Sequence, residues 1–221
     1  SRRGRQGRFM EILDLGFLDF DTAHARMVER VEARIAGAAQ DAVFLVEHPH
    51  VITLGRRDAA SLIKIPEQEL ARLGVSVRRT ERGGLVTYHG PGQLVAYPVV
   101  HLPSRGMGVR QHVGILEEAT VAVAAAMGVE ALCRPGYPGV WTVGGAKLAS
   151  VGVAVRRGVT YHGIAFNVAP DLRFFDLIDP CGLGVRMTSL TQECGRPVSL
   201  EEVKAAWVRQ WLWRLPGPRP A

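Results

Sequence analysis

The chain has 221 residues, 47% of them hydrophobic, which suits one globular domain with a sizeable core. No apolar run reaches the roughly 20 residues of a membrane-spanning helix, and no signal-like apolar stretch follows the basic start SRRGRQGRF. The formal net charge of +6 leaves an acidic protein partner, nucleic acid or a membrane surface open.

We expect residues 1–221 to form one domain, with residues 1–8 as a flexible basic arm and residues 216–221 as a frayed tail. The first half of the chain predicts a strand at 9–16 and then a helix over 21–37. Asp21 or Thr22 is expected near the N-cap of this helix. Its predicted buried face carries Met27, Val28, Val31 and Ile35.

Short apolar segments bounded by turn residues follow this helix. A short helix is predicted over 66–74, with a proline at its start and Gly74 at its end. The segments rich in β-branched residues predict strands at 42–48, 51–55, 75–80, 85–89, 93–102, 129–133, 139–143, 146–155 and 159–169.

Two longer helices are predicted in the second half of the chain. Positions 109, 113, 116, 120, 123 and 127 alternate in steps of four and three, which indicates a core-facing helix that ends at Gly128. Ser199 and Glu202 form a capping box for a last helix, which is expected to bury Val203, Trp207, Trp211 and Leu215. Consecutive strands with few helices between them favour an α+β fold, a mixed sheet with packed helices.

Residues 82–98, RGGLVTYHGPGQLVAYP, combine four glycines with the polar side chains Arg82, Tyr88, His89 and Gln93. Glycine lets the backbone approach a ligand closely, while His and Tyr supply hydrogen-bonding groups. The segment therefore predicts a ligand site, with a glycine-rich hairpin as the alternative. It lacks the GK[ST] ending of a P-loop.

Residues 143–152, VGGAKLASVG, place Lys147 directly after a Gly-Gly hairpin signal. Only three of the 27 basic residues are lysines, and lysine, unlike arginine, can lose its proton when desolvated. A solvated Lys147 is the alternative. In the segment 161–167, YHGIAFN, a buried and hydrogen-bonded His162 is an equally open interpretation.

Cys181 stands between Pro180 and Gly182, which predict a tight turn where a thiol can face a ligand. An ordinary turn cysteine is the alternative. Three cysteines far apart in sequence do not indicate a disulfide framework, and their odd number is typical of a reducing cytosol. The seven histidines form no HxxxH spacing, and Pro49 separates His48 from His50, so no metal site is predicted.

Taken together, RGGLVTYHGPGQLVAYP, GGAKLASVGV, YHGIAFNV and the Asp-Pro-Cys-Gly motif at 179–182 resemble the lipoyl(octanoyl) transferase family in order and spacing. The resemblance runs from about residue 47 to 193. It departs at His50, where the family favours a second proline. It implies the fold of the biotin and lipoate protein ligase superfamily.

The resemblance also implies a cytoplasmic acyltransferase of protein lipoylation that needs no cofactor. An octanoyl group would pass from octanoyl-acyl carrier protein, through a thioester on Cys181, to a lysine of a lipoyl domain. The acceptors would be 2-oxoacid dehydrogenase complexes and the glycine cleavage H protein. Lys147 matches the partner lysine. The matching substrate-contact residues are Arg82, Gly83, Gly84, Leu85, Val86, Thr87, Tyr88, His89, Ser150, Val151, Gly152, Gly163, Ile164 and Ala165.

This chemistry is consistent with the residues. A free thiol is only a few per cent thiolate at neutral pH, so Cys181 needs activation. Lys147 can provide it as an ammonium that stabilises the thiolate, or as a neutral base; the sequence leaves both open. The acyl tail needs an apolar slot, for which Val86, Val151 and Ile164 are candidates.

Two other functions remain as alternatives. An ATP-dependent lipoate or biotin protein ligase of the same superfamily would form an adenylate and need no nucleophilic cysteine, so the Asp-Pro-Cys-Gly motif disfavours it. A nucleic-acid-binding protein would explain the net charge, but no basic stripe interleaved with aromatic residues is present. We expect neither nucleic acid nor a membrane as partner.

Overall fold

The computed structural model describes residues 10–57, 60–180 and 184–218. Cys181 and the predicted basic arm lie outside these residues. The strands are β1 (Met10–Phe17), β2 (Asp41–Glu47), β3 (Val51–Leu54), β4 (Ser76–Arg79), β5 (Val86–His89), β6 (Gln93–Val99), β7 (Ala131–Arg134), β8 (Tyr137–Thr142), β9 (Lys147–Arg156) and β10 (Val159–Asn167). The helices are α1 (Phe20–Ile35), α2 (Glu67–Arg72), α3 (Val109–Ala126), α4 (Leu190–Cys194) and α5 (Leu200–Arg214).

The strands form two sheets. The large sheet has the order β1-β2-β6-β10-β9-β8-β7, in which β1 and β2 are parallel and every other neighbouring pair is antiparallel. The small sheet has the order β4-β3-β5, with one parallel and one antiparallel pair. The predicted α+β class with a mixed sheet is confirmed.

Helices cover both faces of the large sheet because its central strands are apolar on both sides. Val43 and Leu45 of β2 pack in the core that contains α3 and α5. Phe44 and Val46, which alternate with them, pack in the core that contains α1. A third core joins the small sheet to α2 and to a 3-10 helix at Leu172–Leu177.

Several predicted details hold, and others need correction. Ser199 caps α5 by accepting a hydrogen bond from the Glu202 backbone N–H, and Trp207 and Trp211 are fully buried. The N-cap of α1 is Asp19, not Asp21 or Thr22, because the helix begins at Phe20 and buries that ring. Helix α3 does not bury Val109, which is 44% exposed at the first turn.

The strands β2 and β3 follow one another in the chain but lie in different sheets. The turn between them therefore carries the chain from one sheet to the other. Helix α4 and the 3-10 helices have no counterpart among the predicted elements. Within the described residues, no helix is long and apolar enough to cross a membrane. The tail predicted from residue 216 begins with Pro216, whose carbonyl accepts a hydrogen bond from Arg105.

Candidate active site

A cleft lies where the segment before β5 approaches strands β9 and β10 of the large sheet. Its cavity volume is about 440 Å³, within the range of roughly 300–1,000 Å³ that small-molecule sites occupy. Val86, Val151 and Ile164, the predicted apolar lining, all border it. The cleft therefore combines an apolar wall with polar residues from three separate stretches of the chain.

The structure brings thirteen of the fourteen predicted substrate-contact residues to this cleft. They are Arg82, Gly83, Gly84, Leu85, Val86, Thr87, His89, Ser150, Val151, Gly152, Gly163, Ile164 and Ala165. Their contact with a substrate remains a prediction.

Tyr88 is the one predicted substrate-contact residue that does not line the cleft. Side chains alternate along a strand, so Thr87 and His89 of β5 line the cleft while Tyr88 lies on the opposite face. Its ring is fully buried and stacks on Phe174 at 5.4 Å, and its hydroxyl lies 2.8 Å from His50 Nδ1. The side chain of Tyr88 thus belongs to the core of the small sheet.

The absence of a side chain at Gly152 lets the segment around Arg82 lie against the large sheet. Gly152 of β9 pairs with Gly163 of β10 in the register of the two strands. A Cβ atom on Gly152 would lie 2.8 Å from the carbonyl oxygen of Gly83 and 3.1 Å from Arg82 Cδ. Any other residue at 152 would push this segment away from the cleft floor.

Arg82 is a buried cation at the cleft. Its guanidinium donates hydrogen bonds to the Thr53 hydroxyl and to the carbonyl oxygens of Thr53, Gly83 and Leu85. Burial lowers the pKa of Arg82 to about 10. These hydrogen-bond partners are all neutral, and among the described residues no carboxylate forms a salt bridge with Arg82. The cleft wall is therefore suited to a substrate group that is negative or becomes negative.

A buried hydrogen-bond network connects His89 to the backbone of Lys147. His89 Nδ1 donates to Gln93 Oε1 at 2.7 Å, and Gln93 Nε2 donates to Asn167 Oδ1 at 2.9 Å. Asn167 Nδ2 donates to the Thr188 carbonyl, and the Thr188 N–H donates to the Lys147 carbonyl at 2.9 Å. Burial lowers the pKa of His89 to about 3, so this ring is neutral near pH 7.

Lys147 begins strand β9 and is 8% exposed, which rules out the solvated alternative. Its Nζ lies 5.0 Å from the centre of the Trp141 ring, within the range of a cation–π contact. Its side chain passes over Gly139, where an added Cβ would lie 2.8 Å from Lys147 Cε. Lys147 lines the cleft, so its amine is held beside the predicted substrate segments.

The sequence on both sides of Cys181 is anchored at the same place. Pro180, which directly precedes Cys181, lines the cleft. The Lys147 N–H donates to the Arg186 carbonyl at 2.8 Å, and the Thr188 N–H donates to the Lys147 carbonyl. Pro180 thus lies at the cleft, and residues 186–188 are hydrogen-bonded to the backbone of Lys147. Cys181 itself is not among the described residues.

Several cleft residues were missed by the sequence reasoning. Phe20, Tyr97, Tyr137 and His162 line the cleft, although none of them was predicted as a site residue. His162 had a partial signal, since it directly precedes Gly163 in YHGIAFN. It is buried, as one interpretation allowed, and its Nε2 lies 3.1 Å from Glu81 Oε2. No spacing rule connects the other three to the site.

Comparison with known proteins agrees with this geometry. The family model described as the lipoyl protein ligase A/B catalytic domain matches residues 19–212. The octanoyltransferase of Maridesulfovibrio salexigens is 43% identical over 196 residues, which cover 88% of this chain and 91% of that protein.

Solved structures show the same fold at much lower identity. The putative lipoate protein ligase of T. acidophilum, solved with bound lipoic acid, superposes with a TM-score of 0.71 at 20% identity, over 93% of this chain and 85% of that one. The biotin protein ligase of Aquifex aeolicus, in complex with biotin and ATP, gives 0.54 at 13% identity, over 94% and 70%. The fold predicted for the biotin and lipoate ligase superfamily is therefore confirmed.

Proposed function

The chain belongs to the lipoyl protein ligase A/B catalytic domain family and, within it, to the octanoyltransferases, which are acyltransferases; we propose that it transfers an octanoyl group from octanoyl-acyl carrier protein to a lysine of a lipoyl domain. The observation that carries this proposal is the shared cleft. Lys147, Pro180 and the three glycine-containing segments all border one cavity with an apolar wall.

In the first step the Cys181 thiolate attacks the carbonyl carbon of the octanoyl thioester. A new C–S bond forms to Cys181, the bond to the carrier sulfur breaks, and the carrier leaves as a thiolate that takes up a proton. One thioester replaces another, so no ATP is required. A covalent intermediate divides the transfer into two steps, and the two carrier proteins need not be bound together.

In the second step the neutral amine of the acceptor lysine attacks the acyl-enzyme. An amide bond forms, the bond to the Cys181 sulfur breaks, and the amine loses one proton. Lys147 is the group beside the cleft suited to moving this proton or to stabilising the thiolate that leaves. Both uses need its amine at one fixed place, as the contacts with Trp141 and Gly139 provide.

Both steps pass through a tetrahedral intermediate with a negative oxygen. Donors and charges that are fixed in advance stabilise such an oxyanion. Arg82 supplies a buried positive charge on the cleft wall. Val151 and Ile164, which border the cleft, offer the acyl tail an apolar surface that excludes water. Val86 borders it too, but its side chain packs with Tyr88 in the core of the small sheet.

The acceptors that we propose are the lipoyl domains of 2-oxoacid dehydrogenase complexes and the H protein of glycine cleavage. The net charge of +6 is suited to partners that are acidic. The chemistry also suits a reducing cytoplasm, because the nucleophile is a free thiol.

The proposal is tested by supplying octanoyl-acyl carrier protein and a lipoyl domain with and without ATP. We expect the octanoyl amide to form at the same rate in both. If free octanoate with ATP is used and octanoyl-carrier is not, the chain acts as a ligase, the alternative mechanism that the shared fold permits. If neither octanoyl-acyl carrier protein nor free octanoate with ATP leads to modification of a lipoyl domain, both the transferase and the ligase function are contradicted.

A further inference from the structure

Three side chains that could ligate a metal ion converge beside the cleft, and one of them, His162, also lines it. His24 comes from α1, Glu81 from the turn after β4, and His162 from β10. Their ligand atoms all lie within 4.8 Å of one another. His24 Nε2 lies 3.2 Å and His162 Nε2 3.1 Å from the same atom, Glu81 Oε2. We propose that His24, Glu81 and His162 bind a divalent transition-metal ion of the zinc class.

The two separations between an imidazole nitrogen and the Glu81 oxygen fit that ion. Zinc binds imidazole nitrogen and carboxylate oxygen at about 2.0–2.2 Å in a tetrahedron, which places two ligand atoms about 3.3 Å apart. Both nitrogen–oxygen separations are already within about 0.2 Å of that value. Two imidazoles and one carboxylate leave one tetrahedral position for water or another ligand.

The hydrogen bonds of His24 and His162 differ from those of the nearby buried His48. His48 uses both ring nitrogens, one to the Leu18 carbonyl and one to the Tyr97 hydroxyl. His24 and His162 have one hydrogen-bonded nitrogen each among the described residues, and both aim it at a single carboxylate oxygen. Convergence of two imidazoles on one oxygen is the arrangement that an ion between the three groups would organise.

The backbone at His162 gives a separate indication. Its φ is +57°, the left-handed region, although His162 is not glycine and lies within strand β10. This conformation is unfavourable for a residue with a side chain and persists only where surrounding contacts compensate for it. Its ring is 2% exposed, whereas His24 is 26% and Glu81 38% exposed. The cluster thus has one buried ligand and two that an ion can reach from solvent.

A bound ion would connect three elements that the sequence keeps far apart. His24 and Glu81 are 57 residues apart, and Glu81 and His162 are 81 residues apart. A short sequence motif therefore cannot predict this site. Glu81 directly precedes Arg82. The ion would therefore fix the start of the Arg82 segment to helix α1 and strand β10.

Titration of the metal-free full chain with Co²⁺ tests the proposal. We expect one equivalent of Co²⁺ to bind, to give the visible absorption of nitrogen and oxygen ligands, and to be displaced by one equivalent of Zn²⁺. Absence of near-ultraviolet thiolate-to-cobalt absorption would separate this site from the cysteines. No stoichiometric binding would overturn the proposal and leave a hydrogen-bonded triad.

Variants separate metal binding from hydrogen bonding. In His24→Gln the amide N–H can still donate to Glu81, but an amide is a poor zinc ligand. We expect His24→Gln and Glu81→Gln each to weaken Co²⁺ affinity at least about 10-fold, the lower limit for losing even an outer-sphere partner. His101→Gln, at a half-buried histidine outside the cluster, is the matched control. Equal Co²⁺ affinity in His24→Gln and His101→Gln would overturn the proposal.

Discussion

The amine of Lys147 is fixed against the ring of Trp141, with Nζ 5.0 Å from the ring centre and the backbone clamped by Arg186 and Thr188. A lysine held in this way differs from a surface lysine, which samples many rotamers. The position of its charge is determined by three parts of the chain: β8, β9 and the segment after Cys181.

Lys147→Arg tests whether this amine moves protons. Arginine keeps the positive charge but does not lose its proton, and its planar guanidinium does not replace a compact ammonium. We expect single-turnover acylation to fall on the order of 10²-fold, as when a general acid–base group is removed. Lys64→Arg, at an exposed lysine, is the control. Full activity of Lys147→Arg across pH would leave Lys147 an electrostatic role alone.

Gly139→Ala tests the placement of the Lys147 side chain by a change in the neighbouring strand β8. Gly139 has φ +124°, and a Cβ there would lie 2.5 Å from the Ala149 carbonyl oxygen and 2.8 Å from Lys147 Cε, so it would shift the start of β9 together with the lysine side chain. Displacing a catalytic group by about 1 Å can cost on the order of 10²-fold in rate, so we expect a loss of that size. Gly144→Ala is the control, because its nearest atom would be 3.8 Å away and its φ is not in the left-handed region. Equal turnover of the two variants would contradict this placement.

Gln93→Leu tests the network behind His89. The change leaves His89 Nδ1, the Tyr88 carbonyl and Asn167 Oδ1 without their Gln93 partner. Each buried polar group left unpaired costs about 1–3 kcal/mol, so we expect the free energy of unfolding to fall by roughly 3 kcal/mol or more. Denaturant unfolding measures it. The exposed Gln68→Leu should change it by less than about 0.5 kcal/mol. Equal loss in both variants would mean that the network contributes nothing.

His112 should make folding sensitive to acid. It is fully buried in α3, neither ring nitrogen has a hydrogen-bond partner among the described residues, and burial lowers its pKa to about 4. In the unfolded chain the pKa returns to about 6.5. Between pH 6.5 and 4 the unfolded state binds the extra proton. Stability is therefore complete above pH 6.5 and falls by about 1.4 kcal/mol per pH unit as the pH drops to 4.

His112→Leu should remove that contribution. His48 and His89 have pKa values lowered by burial to about 4 and about 3, so they add slopes of the same sign. We expect the variant to unfold at a higher denaturant concentration at pH 5, and its stability to depend less steeply on pH than that of the native chain. An unchanged slope between pH 4 and 6.5 would show that His112 is not buried in its neutral form.

Much of the cleft is predictable from the sequence because glycines are needed where backbone meets backbone. Gly83 and Gly152 stand in motifs that the chain shows directly, and both lie where the segment before β5 meets β9. Which face of strand β5 meets the cleft could not be predicted from the sequence in the same way. Periodicity places Thr87 and His89 together and Tyr88 apart, but it does not say which set meets the cleft.

Tertiary contacts account for what the sequence did not predict. Asp19 caps α1 because burial of Phe20 shifts the helix start, which local propensity does not include. The convergence of His24, Glu81 and His162 depends on three elements docking, and no window of the sequence contains all three. Lys147 is buried because Trp141 and Gly139 of the preceding strand lie beside it, a relation that only the β8–β9 pairing creates.

The thioester on Cys181 is the central claim, and the intact mass of the protein after incubation with octanoyl-acyl carrier protein tests it most directly. We expect the native chain, Cys133→Ser and Cys194→Ser each to gain the mass of one octanoyl group, removable by neutral hydroxylamine. Cys133 and Cys194 are the free cysteines among the described residues and serve as matched controls. Cys181→Ser should gain no mass and should not turn over, because a serine hydroxyl is a far weaker nucleophile. A Cys181→Ser protein that still forms the octanoyl amide at the native rate would contradict the covalent mechanism.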